Sequence, residues 1–198
     1  MTRKDELRAA FIERRGAVTE EERQSAAKAA GVLFSNFTLF KQRSCCAYLS
    51  NNNEMPTRHF IRQIFAWKST LCVPAWDPAS KSYHLCAFDA QTKVATGRFG
   101  IREPEQRIPV GMGGIRLFLV PGVCFDADGN RLGHGKGYYD SILARAAPEA
   151  LKVGVCYDWQ ISTEPLPAEP HDIAMDFLLT DRRIVCCNPK KLEKQGVE

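Results

Sequence analysis

No apolar run in this sequence approaches the roughly 18 residues that a membrane-crossing helix needs, so no membrane association is expected. Long basic tracts are missing too. Lys and Arg outnumber Asp and Glu by 27 to 23, a net charge of +4, but basic residues never run beyond pairs such as Arg14-Arg15 and Arg182-Arg183. Nucleic-acid binding is therefore not expected. Low-complexity stretches and internal repeats of about 20–50 residues are absent, which argues against solenoid architectures. The opening MTRKDELRAAFIERR has no apolar segment of the kind a secretory signal carries. Its Asp5, Glu6 and Glu13 argue against a transit peptide, and a cytoplasmic setting is expected. None of the eight cysteines forms a Cys-x-x-Cys pair. The adjacent Cys45-Cys46 and Cys186-Cys187 are poorly spaced for zinc, and all eight sit in apolar runs. Buried, reduced thiols are the expected state.

What is present is ordinary for a folded protein. The 198 residues are 44% hydrophobic and 25% charged, close to globular usage. At about 100–200 residues per domain, one domain over 1–198 is expected. Lys4, Leu7, Arg8 and Phe11 share a helical side, and Gly16 ends that pattern. Thr19 with Glu22 three residues on predicts a capping box for a second helix. Further along, strands are predicted at 44–50, 70–76, 83–88, 115–120, 151–157, 175–180 and 184–187. Helices are predicted from Pro56-Thr57 and over 138–147, and residues 90–114 read as a long loop or lid. Alternating helices and continuous apolar strands predict an α/β fold with a mainly parallel sheet. In such sheets ligands bind beyond the carboxyl ends of the strands.

The segment after one such strand is the most informative. Residues 115–143 run from an apolar strand through Pro121-Gly122 into a loop with Gly129, Gly133, Gly135 and Gly137, then into a helix. Glycines permit positive φ and close backbone approach, and successive N–H groups can form an anion nest. Lys136 and Arg131 add a point charge and a bidentate donor. This pattern predicts a phosphate site. It is not a Walker A loop, because Asn130 stands at the first glycine position and Gly137 follows the lysine. Asp140 either complements the helix dipole or helps to hold a cation; a lone Asp does not decide between them.

The sequence Arg131-Leu132-Gly133-x-Gly135-x-Gly137-Tyr138-Tyr139-Asp140, after a strand and Pro-Gly, resembles the 5-formyltetrahydrofolate cyclo-ligase family, also called 5,10-methenyltetrahydrofolate synthetases. Other segments are similar in the same order: Lys4-x-x-Leu7-Arg8, Tyr48-Leu49-Ser50 with Glu54, Pro74-Ala75-Trp76, residues 99–104 (FGIREP) and residues 171–176 (HDIAMD). The resemblance implies a three-layer Rossmann-like fold of the CoA-transferase and phosphosugar-isomerase kind. It implies that ATP, as co-substrate with Mg²⁺, drives 5-formyltetrahydrofolate to 5,10-methenyltetrahydrofolate, with ADP and phosphate released.

The resemblance also implies residue roles. Lys4, Arg8, Arg131, Leu132, Gly133, His134, Gly135, Lys136, Gly137 and Tyr138 would bind ATP, with Lys136 and Arg131 acting on the transferring phosphoryl group. Leu49, Glu54, Trp76, Phe99 and Tyr139 would bind the folate, and Asp140 and Asp172 the metal. His134 and His171 are not assigned catalytic roles. A monomer acting on small molecules is expected. The alternatives are a non-catalytic folate-binding protein, or a phosphosugar isomerase or CoA transferase of related fold. Phe99 stands where many members carry Trp. Arg116 stands where the family often has Asp, at the amino end of its strand, so a structural effect is expected there. Setting aside Lys4, Arg8, Arg131 and Lys136 leaves the rest of the chain formally neutral.

Overall fold

The computed structural model describes residues 2–51 and 53–193. Two helices open the chain, α1 (Arg3–Gly16) and α2 (Glu20–Asn36). Each starts on a reciprocal capping box. Thr19 accepts from the Glu22 N–H and Glu22 accepts from the Thr19 N–H, as the spacing predicts; Thr2 and Asp5 do the same for α1. Such caps contribute about 1 kcal/mol each by satisfying otherwise unpaired N–H groups. The chain continues through β1 (Ser44–Cys46), α3 (Arg58–Ala66), β2 (Thr70–Asp77), β3 (Ser82–Phe88), β4 (Val94–Thr96) and β5 (Arg102–Pro104). It then forms β6 (Leu117–Pro121), β7 (Cys124–Phe125), β8 (Arg131–Leu132), α4 (Tyr138–Leu143), β9 (Leu151–Val155), β10 (Phe177–Leu179), β11 (Ile184–Cys186) and α5 (Lys190–Glu193).

Seven strands make one sheet in the order β11-β10-β9-β6-β1-β2-β3. The five inner strands are mutually parallel, and the edge strands β3 and β11 run antiparallel to their neighbours. Alternation along the strands sorts the core into two layers. Leu117, Leu119, Val153 and Phe177 join Phe34 of α2 and Phe60 of α3 on one side. Phe118, Val120 and Leu178 join Ile142 and Leu143 of α4 and Phe125 of β7 on the other. Helix, sheet and helix thus form the expected three layers. Burying each large apolar side chain here contributes on the order of 1.5–3 kcal/mol.

Three predicted elements differ by more than two residues. The strand predicted over 44–50 ends at Cys46. The helix predicted over 138–147 ends at Leu143. Residues 90–114 are not structureless: β4 and β5 pair as a hairpin. Its buried Glu103 accepts from the Trp76 N–H at 3.1 Å and from Arg107 at 3.0 Å, which fastens it to β2. Arg116 has a structural partner, an ion pair with Glu149 across the start of β9.

The early end of β1 has a physical cause. Ala47 still donates to Cys72 O at 3.0 Å. The next rung of a parallel ladder would need an N–H from Pro74, and proline has none. The chain leaves the sheet there, and Tyr48 takes over the connections. Its hydroxyl donates to Met55 O and its carbonyl accepts from Thr57 Oγ1, both at 2.8 Å. A crevice opens at the carboxyl ends of β1, β2 and β6, where β1 lies between β2 on one side and β6 on the other.

Candidate functional site

A cleft of about 540 Å³ occupies that crevice, within the range usual for small-molecule sites. One wall is the glycine-rich loop. The β7–β8 hairpin roots it: buried Asp126 accepts from the Asp128 and Asn130 N–H groups and the Asn130 side chain. Asp126 also accepts from the Leu166 N–H at 2.8 Å. From this root the loop runs through Gly133, His134, Gly135, Lys136 and Gly137 into α4, and all five line the cleft. A side chain at Gly133 would meet Arg131 Nη1 at 2.6 Å, so only glycine leaves that guanidinium in place. Gly135 and Gly137 hold φ of +78° and +65°, which other residues resist. Leu132 is 2% exposed and packs with Leu166, so it can offer a ligand only its backbone.

The second wall is α1. Leu7 and Phe11 dock it on Cys124, Leu132 and Leu166. The opposite edge of that face presents Lys4 and Arg8 to the cleft. Arg8 Nε donates to Gly133 O at 2.9 Å, so part of its expected role is to hold the loop itself. Lys4 Nζ reaches Glu169 at 2.8 Å and Asp172 at 3.4 Å. The Glu169 hydrogen bond, outweighing desolvation, holds the Lys4 amine above its usual range. Against desolvation, the Glu169 N–H and Lys4 hold the Asp172 carboxyl below its own.

Two residues predicted to act separately are joined. Arg131 Nη2 donates to both oxygens of Asp140 at 2.9 Å, and its side chain is 5% exposed. Its buried Nε has no protein partner among the described residues, an orphaned donor at the base of the loop. The Ile173 N–H lies 3.5 Å from Asp140 Oδ1, which brings the Asp172 segment beside Asp140. Among the described residues no three His, Cys, Asp or Glu side chains converge as a metal cage. Asp140 and Asp172, from neighbouring segments, match the one or two carboxylates of a hydrated Mg²⁺ that takes most of its ligands from phosphate and water, and such an ion would share their oxygens with Arg131 and Lys4.

The far end of the cleft is the turn after β1. Leu49 and Glu54 line it with Tyr48, Pro74, Tyr83 and Tyr139. Glu54 accepts from the Asn51 N–H at 2.9 Å. Burial pushes its carboxyl up, with that hydrogen bond and the Arg15 charge working against the rise. Tyr139 presents its ring within 5.8 Å of the Arg131 guanidinium. Tyr138 packs edge-on against Tyr83 and Trp76 at 4.9 and 5.6 Å.

Trp76 does not line the cleft. It lies two residues beyond Pro74 on the same strand face, behind Tyr83 and Tyr138, with Arg98 stacked 4.2 Å over it. It buttresses the wall expected of it. Phe99 falls in the turn Arg98–Gly100, and its side chain is outside the described residues.

Several lining residues have no expectation attached: Arg15, Tyr48, Pro74, Tyr83, Arg102 and Glu169. Arg15 carries a legible signal. Lys4, Arg8 and Arg15 are spaced i, i+4, i+11, which puts them on one helical face. Arg15 Nη2 lies 3.4 Å from His134 Nε2. A guanidinium only donates, so this contact makes Nε2 the acceptor of a neutral imidazole. Desolvation, then the Arg15, Arg8 and Arg131 charges, hold His134 below the usual histidine range.

The chain is similar to known proteins in sequence and in fold. A sequence model described as the 5-formyltetrahydrofolate cyclo-ligase family matches residues 1–181. The chain is 30% identical over 185 residues to a 5-formyltetrahydrofolate cyclo-ligase of Mycolicibacterium smegmatis, covering 91% of this chain and 94% of that one. It is 29% identical over 186 residues to one of Mus musculus, covering 87% and 91%. The NMR structure of Aquifex aeolicus 5,10-methenyltetrahydrofolate synthetase is similar with a TM-score of 0.82 at 30% identity, covering 94% of this chain and 93% of that one.

Proposed function

Since the chain belongs to the 5-formyltetrahydrofolate cyclo-ligase family, we propose that its cleft brings ATP and 5-formyltetrahydrofolate together and closes the folate to 5,10-methenyltetrahydrofolate, releasing ADP and phosphate. One observation supports this most directly. A single 540 Å³ cleft joins the glycine-rich loop and the cations of α1 at one end to the desolvated Glu54 and tyrosine rings at the other. A site for a phosphosugar alone would not need both ends.

The chemistry suits that layout. A formamide carbon is a poor electrophile, and its oxygen is a poor leaving group. Transfer of the γ-phosphoryl group to the formyl oxygen gives an imidoyl phosphate; N10 then attacks the same carbon and phosphate leaves. In such a transfer the protein chiefly positions the reactants and neutralises charge. Lys136, exposed at the loop's crest, follows the transferring phosphoryl group. Arg131, fixed by Asp140, points its fork at the base of the loop. The backbone of residues 132–138 cradles the phosphates, flanked by Lys4, Arg8 and neutral His134. Bound Mg²⁺, with Asp140 and Asp172 as its protein carboxylates, would offset phosphate charge.

Glu54 pairs with the N–H edge of the pterin. Tyr139 and Leu49 pack against the ring, with Trp76 supporting the wall. Eight free cysteines, six of them buried, support a reducing, cytoplasmic setting, and we take the enzyme to act as a monomer. The test is direct: purified protein with 5-formyltetrahydrofolate and MgATP should generate the methenyl chromophore with one ADP per product. Absence of the chromophore across pH and divalent metals would refute the proposal.

A further inference from the structure

Arg15 lines the cleft, and the preceding reading leaves its chemistry unused. It ends α1, where an arginine could simply face solvent and complement the helix dipole. Its neighbour Arg14 does just that, exposed and stacked 4.5 Å over Trp159. Arg15 instead turns inward, is 5% exposed, and lines the cleft.

Its partners are neutral. Nη1 donates to Gly122 O at 3.2 Å and Nη2 meets His134 Nε2 at 3.4 Å. Among the described residues no carboxylate lies within ion-pairing distance of it. The contrast with Arg131 is informative, because that equally buried guanidinium has Asp140. A buried cation without a counter-charge costs several kcal/mol, and buried charges are normally paired. The carboxylate its charge reaches, Glu54, is not in contact with it, so the contacting anion is left to a ligand.

Its position says which part of the ligand. Gly122 follows β6 at the mouth of the crevice, and His134 belongs to the glycine-rich loop. On the other side the charge of Arg15 is felt at Glu54. Arg15 thus stands between the phosphate end and the Glu54 end, where a group passing from one to the other must cross.

We infer that Arg15 is the receptor for the phosphoryl group in transit, donating to its oxygens as it leaves the loop for the formyl oxygen. This rests on the reading of the cleft given above. In the step, the bond from γ-phosphorus to the β,γ-bridging oxygen breaks and its electron pair stays on ADP. The formyl oxygen bonds to phosphorus while the N5 lone pair forms the C–N double bond. N10 then adds to the carbon and loses its proton to solvent. The C–O bond breaks, with its pair leaving on inorganic phosphate. Nothing is oxidised or reduced. During transfer the charge is spread over the three equatorial oxygens of the migrating group, and a fixed buried donor placed for that in-transit position acts there rather than on bound ATP. The other anion in the substrates, the folate glutamyl carboxylate, is carried unchanged through the reaction and would be held equally in ground and transition states.

That difference separates the two sources. In Arg15→Gln, chromophore assays should show kcat reduced about 10²-fold, with KM for MgATP and for 5-formyltetrahydrofolate within about threefold of wild type. Arg15→Lys keeps the charge but loses the planar fork, and kcat should fall about tenfold. If Arg15→Gln does not fold, as judged by circular dichroism, Arg15→Lys decides. A rise in KM for the folate at unchanged kcat overturns the assignment in favour of the carboxylate, and unchanged kinetics in a folded variant overturn it outright. Should wild-type protein form no chromophore, the cyclo-ligase reading falls separately. Calorimetric titration of inorganic phosphate then decides: affinity lost in Arg15→Lys sustains the assignment, and equal affinity ends it.

Discussion

Replacing Asp126 with asparagine should destabilise the protein by about 2 kcal/mol, although Asp126 touches no ligand position. The carboxylate is 2% exposed and accepts four hydrogen bonds. Oδ1 serves the Asp128 and Asn130 N–H groups, and Oδ2 serves the Asn130 side chain and the Leu166 N–H. An asparagine oxygen placed at Oδ1 keeps the first two. The new amide NH₂ then faces the other two. Asn130 can turn its amide and accept from it. The Leu166 N–H is a buried backbone donor and cannot turn, so it is left unsatisfied against another donor. That costs roughly 1–3 kcal/mol. At about 2–4 °C per kcal/mol for a chain of this size, the thermal midpoint should drop by about 4–8 °C. The same N–H ties residues 166–172 to the root of the glycine-rich loop, so the contacts of Lys4 with Glu169 and Asp172 loosen together. KM for MgATP should therefore rise several-fold below the melting range. Differential scanning calorimetry and the chromophore assay check both parts. A midpoint within about 1 °C of wild type would show that Asp126 is not the anchor described.

Lys136→Ala should cut turnover about 10²–10³-fold while leaving the melting temperature within about 2 °C, because the side chain is exposed; unchanged turnover would remove it from the mechanism. Glu54→Gln should raise KM for the folate and at the same time stabilise the free protein at neutral pH. Burial raises the Glu54 carboxyl, so its contribution to folding is fully present below the ordinary carboxylate range and is lost as pH rises through the raised value. The stability gap between variant and wild type should then widen as pH rises above the ordinary glutamate value of about 4.3, and thermal melts showing a constant gap would refute it. Gly135→Ala places a side chain at φ +78° with its Cβ 3.7 Å from the Arg8 guanidinium. It should cost about 1 kcal/mol and weaken nucleotide binding; unaltered ATP titrations would count against the cradle.

Local features were legible where the determinant lies within a few residues. The Thr19–Glu22 cap depends on a spacing of three, and the inner strands on short apolar runs, so both could be read directly. Arg15 shows the limit. Its helical phase with Lys4 and Arg8 was available, but an arginine pair at a helix end reads as solvated until Gly122 and His134 are seen against it.

By itself the sequence determined the mainly parallel α/β fold, the family, and the loop from Arg131 to Asp140, because glycine, charge and strand–helix order are all contiguous there. Tertiary structure alone decided where β1 stops, through the missing N–H of Pro74 one strand away. It alone decided that Arg131 and Asp140 neutralise each other, that Trp76 stands behind the wall, and that Arg15 is buried with no ion-pair partner among the described residues. Those outcomes depend on which side chains the packed sheet and α1 bring within a few ångströms. That is a property of distance in space, which spacing along the chain does not encode.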